Sequence, residues 1–147
     1  AQAMNSSTEV EKERDQKRKA LLETMAVLIG ARAWLPLWKD ERLSIRVRSD
    51  SSAALGSIRG EKSSNANANA VVRELALDMA EGLYVIDITE HLPGKDNTWA
   101  DPLSRLWQPN GTAKIPEGLD HVGKPSKQRD AAWWRTSGDP TAYDGCC

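Results

Sequence analysis

The spacing of apolar positions changes along the chain, and each change marks an element. Residues 1–16 have no apolar period. Glu9, Glu11, Lys12, Glu13, Arg14 and Asp15 make a charged segment, expected to be frayed at its start and to bury little even if it extends a helix. From about Lys17 to Trp38, Leu21, Leu22, Met25, Leu28, Ile29 and Arg32 or Ala33 recur three and four residues apart among strong helix formers. That spacing predicts an amphipathic helix, ended or kinked by Pro36. Its small residues Ala26, Gly30, Ala31 and Ala33 would let it approach a sheet closely. Leu43, Ile45 and Val47 then alternate with polar residues through Ser49, the period of a strand. Asp50 or Ser51 is suited to cap the helix that follows, because a short side-chain oxygen can accept first-turn amides.

After a polar joint over 60–69, Val71, Val72, Leu75, Leu77 or Asp78, and Met79 predict a second long helix from about Asn67 to Glu81. Gly82 is placed to stop it. Leu83–Glu90 is nearly continuous in apolar and β-branched character, as in a strand covered on both faces. Pro93-Gly94 marks a loop, and Thr98 to Trp107 a short helix. From Gln108 onward Pro and Gly recur. The expected organisation is a charged segment (1–16), an α/β body (17–107) and a tail (108–147) without a core of its own, from which Trp133 and Trp134 are available to dock.

The order α-β-α-α-β-α argues an α/β fold with a mainly parallel sheet flanked by helices. Two strands are marginal in water, so further strands are expected to belong beside them. The start at Ala1 fits a fragment. Across 147 residues the net charge is -1, so a nucleic-acid partner would have to be met by a local patch or through metal ions. Arg42, Arg46 and Arg48 near the first strand, with Arg59, Lys62, Lys95 and Arg105 near loops, are the candidates for such a patch. Uninterrupted apolar runs are short and the N-terminus is polar, so neither a membrane partner nor a signal peptide is expected, and the location is expected to be intracellular. Cys146 and Cys147, adjacent at the end, cannot staple a core.

Three carboxylates stand out by setting. Glu23 lies in the apolar stretch of the first helix, Asp50 at the C-terminal end of the first strand, and Asp101 at the start of the last helix. Singly, each has an ordinary reading: an exposed helix glutamate, a helix cap, and a first-turn acid favoured by the helix dipole.

Taken in order, with their neighbours, they resemble the ribonuclease H domain of retroelement reverse transcriptases over about residues 20–107. Leu22-Glu23-Thr24-Met25-Ala26-Val27-Leu28 is similar to that family's Glu helix. Arg48-Ser49-Asp50-Ser51-Ser52 is similar to its strand-end Ser-Asp-Ser motif. The most specific match runs His91-Leu92-Pro93-Gly94-Lys95-Asp96-Asn97-Thr98-Trp99-Ala100-Asp101-Pro102-Leu103-Ser104-Arg105, against His-Ile-Pro-Gly, a short gap, Asn, Ala-Asp and Leu-Ser-Arg. The resemblance implies a ribonuclease H-like fold and hydrolysis of the RNA strand of RNA–DNA hybrids, beside a reverse transcriptase polymerase domain in the same protein. It implies Mg²⁺, or Mn²⁺ in its place, held by Glu23, Asp50 and Asp101; carboxylates are hard oxygen ligands suited to these ions. His91 falls where the cellular family has a loop histidine that assists proton transfer or product release, although in retroelement members it often only opens the loop. Asn97 is expected to brace the loop.

The departure is at the N-terminus. The family places its first catalytic Asp on a three-strand antiparallel meander ahead of the Glu helix, and the residues before Glu23 carry no strand pattern. The fold is therefore expected to be truncated at that meander, with one ligand absent and this chain inactive alone. The alternative is a non-catalytic ribonuclease H-like remnant that serves as a structural or interaction module.

Overall fold

The computed structural model describes residues 2–38, 43–106, 108–119 and 131–135. Arg42, Trp107, the two cysteines and most of the tail lie outside the described residues. The elements are α1 (Gln2–Trp38), β1 (Leu43–Ser49), α2 (Ser52–Arg59), α3 (Ala66–Ala80), β2 (Tyr84–His91) and α4 (Ala100–Arg105), with 3-10 turns at Gly94–Asp96 and Ala131–Trp133. The order matches the expected alternation of helix and strand.

β1 and β2 pair in parallel, from Leu43 opposite Tyr84 to Ser49 opposite His91. Asp87 is skipped where the register shifts between Ile45 and Arg46. The crossover that joins them is α2 and α3, as a parallel pair requires. Leu43, Ile45, Val47 and Ser49 of β1 turn inward while Ser44, Arg46 and Arg48 are exposed, so the period-two reading holds. β2 departs from expectation. Only Tyr84 is fully buried, and Ile88 is 40% exposed. Among the described residues the helices cover one face of the sheet, and the apolar run of β2 is left half covered.

Ser51, not Asp50, caps α2: its hydroxyl accepts the amide of Ala54 at 3.2 Å. That leaves the Asp50 carboxylate free of capping duty. Asn65 caps α3 by accepting from Asn67 and Ala68. α3 stops at Glu81 and turns through Gly82 at φ 74°, a conformation that favours glycine.

α1 is helical from Gln2, and its side chains from Thr8 to Lys19 are exposed, as their charge dictates. Its buried stripe differs from the expected one. Thr24, Leu28 and Ala31 are buried, with Leu21, Met25 and Leu35 packed beside them, while Leu22 points to solvent. Thr24 belongs there because its hydroxyl bonds the Ala20 carbonyl at 2.8 Å and leaves a methyl facing inward. Of the four small residues, only Ala31 is buried in the packing; Ala26 and Ala33 are exposed, and a methyl at Gly30 would meet nothing within 4 Å. Pro36 sits near the helix end, which runs two residues past it.

Within Thr8–Leu37 of α1 lies an 18-residue window of mean hydropathy 1.4, long and apolar enough to cross a membrane by length and composition alone. The window is not an uninterrupted apolar run, because Glu23 and Arg32 fall within it. In the fold, these two residues are bonded to other elements, Glu23 to Ser49 and Arg32 to Glu74 and Asp78.

The core consists of Leu28, Ala31, Val47, Leu55, Ile58, Val71, Leu75 and Tyr84. The Tyr84 hydroxyl donates to Asp78 at 2.9 Å. Burial, then the Asp78 charge and that hydrogen bond, push the phenol well above the usual tyrosine range, opposed by Arg32 and Arg135. A phenol whose folded pKa lies above its unfolded value of about 10 stabilises fully below about pH 10 and loses that contribution as pH rises further. The urea midpoint should therefore fall above about pH 10, and fall less in Tyr84→Phe. Equal alkaline losses in the two proteins would show that Tyr84 is not the titrating group.

Candidate functional site

The C-terminal ends of the parallel strands bring the sequence-predicted residues to one edge. That edge is where parallel α/β sheets place ligand chemistry. Ser49 closes β1, and its hydroxyl donates to Glu23 Oε2 at 2.8 Å while accepting the Ser51 amide at 3.0 Å. This bond ties the middle of α1 to the strand end. The Ser49 carbonyl takes the Leu92 amide at 3.0 Å, which starts the Pro-Gly loop beside it. Asn97 Oδ1 accepts the Ala100 amide at 3.3 Å and its carbonyl accepts the Asp101 amide at 3.2 Å, so Asn97 braces the start of α4.

The loop faces Asp50 and Asp101 toward each other across Gly94. A methyl built on Gly94 would lie 3.6 Å from Asp50 Oδ2 and 4.0 Å from Asp101 Oδ1. Three residues distant in sequence are thus gathered from α1, the β1 end and α4. His91 closes β2 opposite Ser49 and is exposed.

Lys19 is the residue that sequence reasoning missed. One turn before Glu23, it reaches across to Asp50 with Nζ 2.8 Å from Oδ2. The bond to Asp50 holds the ammonium above the usual lysine range against some desolvation, and the charges of Asp50, Glu23 and Asp101 all add to the effect. Its i−4 spacing from Glu23 was the available signal, but nothing local links it to Asp50.

Each carboxylate already has a partner: Glu23 has Ser49, Asp50 has Lys19, and Asp101 pairs with Arg105 at 3.0 Å within α4. All three act on one ammonium, yet among the described residues no group of three or more His, Cys, Asp or Glu is close enough to hold one ion. The donor set suits a divalent cation in chemistry, and Asp50 with Asp101 is the facing pair. Lys19 occupies Asp50 Oδ2 and Ser49 occupies Glu23 Oε2, so an ion would compete with both for these oxygens.

The basic residues are partly committed. Arg48 pairs with Glu90 directly across the sheet at 2.9 Å, and Arg105 with Asp101. Arg46, Arg59, Lys62 and Lys95 are exposed. Arg59 also donates to Thr89 at 3.3 Å.

A second charged cluster lies at the other end of α1 and was not anticipated. Arg32 donates to Asp78 Oδ2 at 2.8 Å and Oδ1 at 2.9 Å, and to Glu74 Oε2 at 2.7 Å. Glu74 and Asp78 are both 0% exposed. Val71, Leu75 and Asp78 share one face of α3, so the helical period admitted Asp78, but the inward turn of Glu74 had no local sign. Comparison with protein-family models, with curated proteins and with solved structures returned no match to this chain.

Proposed function

We propose that this chain is the carboxylate-bearing part of a ribonuclease H-like phosphodiesterase that cleaves the RNA strand of RNA–DNA hybrids within a retroelement reverse transcriptase. The observation that carries the reading is the convergence of Glu23, Asp50 and Asp101, from three separate elements, around the Lys19 ammonium at the C-terminal end of the parallel strands. The order of the motifs and the α-β-α-α-β-α succession support it as well.

In this reading, Asp50, Asp101 and Glu23 would hold Mg²⁺ or Mn²⁺, which when bound supplies Lewis-acid activation of water and of the scissile phosphate. The chain's own residues do the positioning. Ser49 holds Glu23 at the strand end, Asn97 sets the start of α4, and Gly94 leaves the gap between the two aspartates open. Exposed Arg46, Lys62 and Lys95 are available to phosphates. His91, exposed at the mouth of the loop, would be the residue that assists proton transfer or product release.

Residues 2–22 are helical, so they supply no strand and no fourth carboxylate beside Asp50. Three carboxylates, each internally paired, hold a divalent ion weakly. This chain alone should therefore show no Mg²⁺-dependent cleavage of a labelled hybrid above a metal-free control. Any hybrid binding should weaken steeply between about 50 and 200 mM salt, because phosphate contacts release counterions. Robust cleavage abolished by Asp50→Asn would overturn the inactivity; salt-independent hybrid affinity would overturn the phosphate contacts.

The internal pairing of all three carboxylates also favours a second reading, a non-catalytic remnant acting as a structural or interaction module. Metal binding separates the two: the remnant has no measurable affinity for Mn²⁺ even when Lys19 is removed.

A further inference from the structure

The segment Ala131–Arg135 is seated on α1 and α3, far in sequence from both, and its contacts are those of a bound peptide. Its Trp133 carbonyl accepts from Arg32 Nη1 at 2.6 Å. Its Arg135 amide donates to both oxygens of Glu74, at 3.0 and 2.8 Å. The Arg135 guanidinium reaches Asp78 at 2.8 Å and also pairs with Glu81. The Arg32 guanidinium lies over the Trp133 ring, 4.6 Å from its centroid. Trp133 and Trp134 meet edge to face at 4.8 Å and pack against the hydrophobic core.

Charge explains the fit. Glu74 and Asp78 are fully buried, and among the described residues of α1 the Arg32 guanidinium faces both carboxylates. Arg135 brings the second positive charge. Buried carboxylates are costly unless cations face them, so removing the segment takes from Asp78 a guanidinium that it bonds at 2.8 Å. Both indoles are partly buried against the core, and the Trp133 ring lies under Arg32, which adds a cation–π contact.

We propose that the α1–α3 cleft is a peptide-recognition site for a Trp-Trp-Arg sequence, filled in cis by the chain's own Ala131–Arg135 as a separable strap. The site reads one backbone carbonyl, one backbone amide, a guanidinium and two indoles. The same sequence on a separate molecule satisfies these groups equally. Because α1 also carries Lys19 and Glu23, the strap holds in place the helix that serves the carboxylate edge.

The test starts from the intact, folded chain with a specific protease site inserted between Lys124 and Pro125. After cleavage, the C-terminal fragment should co-elute with the body in gel filtration. Excess synthetic peptide of residues 129–137 should displace it, and peptides carrying Trp133→Ala or Arg135→Ala should do so at least about tenfold less well. Separation of the fragment with the body's melting midpoint unchanged would overturn the proposal, as would equal displacement by a scrambled peptide. If the body unfolds once the fragment is diluted away, refolding on addition of the wild-type peptide supports the site, and failure to refold counts against it. Intact Arg135→Ala gives an independent arm: wild-type peptide should raise its melting midpoint, and no rise refutes the exchange.

Discussion

Arg32→Ala is expected to lower the unfolding free energy by about 3–5 kcal/mol, most of what a small domain has. The side chain is 9% exposed and its guanidinium is shared among Glu74, Asp78 and the Trp133 carbonyl. Truncation removes four hydrogen bonds at once and takes the α1 guanidinium away from two fully buried carboxylates, leaving Arg135, itself 32% exposed, as the remaining arginine beside them among the described residues. It also removes the cation over Trp133. The cost is the uncompensated charge, not the worth of any one bond. Arg32→Lys should recover little, because a single ammonium cannot serve both carboxylates and the carbonyl in the fork geometry that guanidinium provides. Urea denaturation followed by circular dichroism measures the difference. A loss below about 1 kcal/mol would mean that the cluster is open to water and is not the clamp between α1 and α3.

Lys19→Ala is expected to strengthen binding of Mn²⁺ by on the order of tenfold, since an ammonium near several carboxylates repels a second cation and occupies the same oxygens. Nζ sits 2.8 Å from Asp50 Oδ2, and Glu23 and Asp101 act on it too. Lys19→Arg keeps the positive charge and should leave the affinity near that of the parent chain. Adding Asp50→Asn to Lys19→Ala should cancel the gain. Titration calorimetry reads all three. Unchanged affinity in Lys19→Ala would remove the carboxylate edge as a cation site and leave the structural module as the better reading. Because Lys19 is half exposed and distant from the core, its loss should not move the melting midpoint appreciably, which separates this effect from that of Arg32.

Much of the architecture was legible residue by residue. β1 follows from the alternation of Leu43, Ile45 and Val47, and the end of α3 from Gly82, because each depends on neighbours within a few positions. The candidate carboxylates were singled out for another reason: each of Glu23, Asp50 and Asp101 reads as ordinary by itself, and only their order and neighbouring motifs set them apart. The rest depended on partners remote in sequence. Leu22 looked equivalent to Leu21 in the helical period, but the placement of α3 and the sheet decided which face of α1 is inward. β2 looked fit for burial on both faces, yet among the described residues helices reach only one.

The same division runs through the charged residues. Short-range periodicity and turn chemistry determined where helices and strands form, in what order, and which side chains reach the strand ends. They could not determine which charges meet. Lys19 is joined to Asp50 across 31 positions, Arg32 to Asp78 across 46, and Arg135 to Glu74 across 61. An ion pair is chosen by distance and burial after the helices have packed, and a lysine or arginine on a helix looks the same in sequence whether it faces water or a buried carboxylate. The tertiary structure alone therefore decided that an ammonium sits at the carboxylate edge, and that a stretch of the Pro/Gly-rich tail brings a second guanidinium to the buried carboxylates of α3.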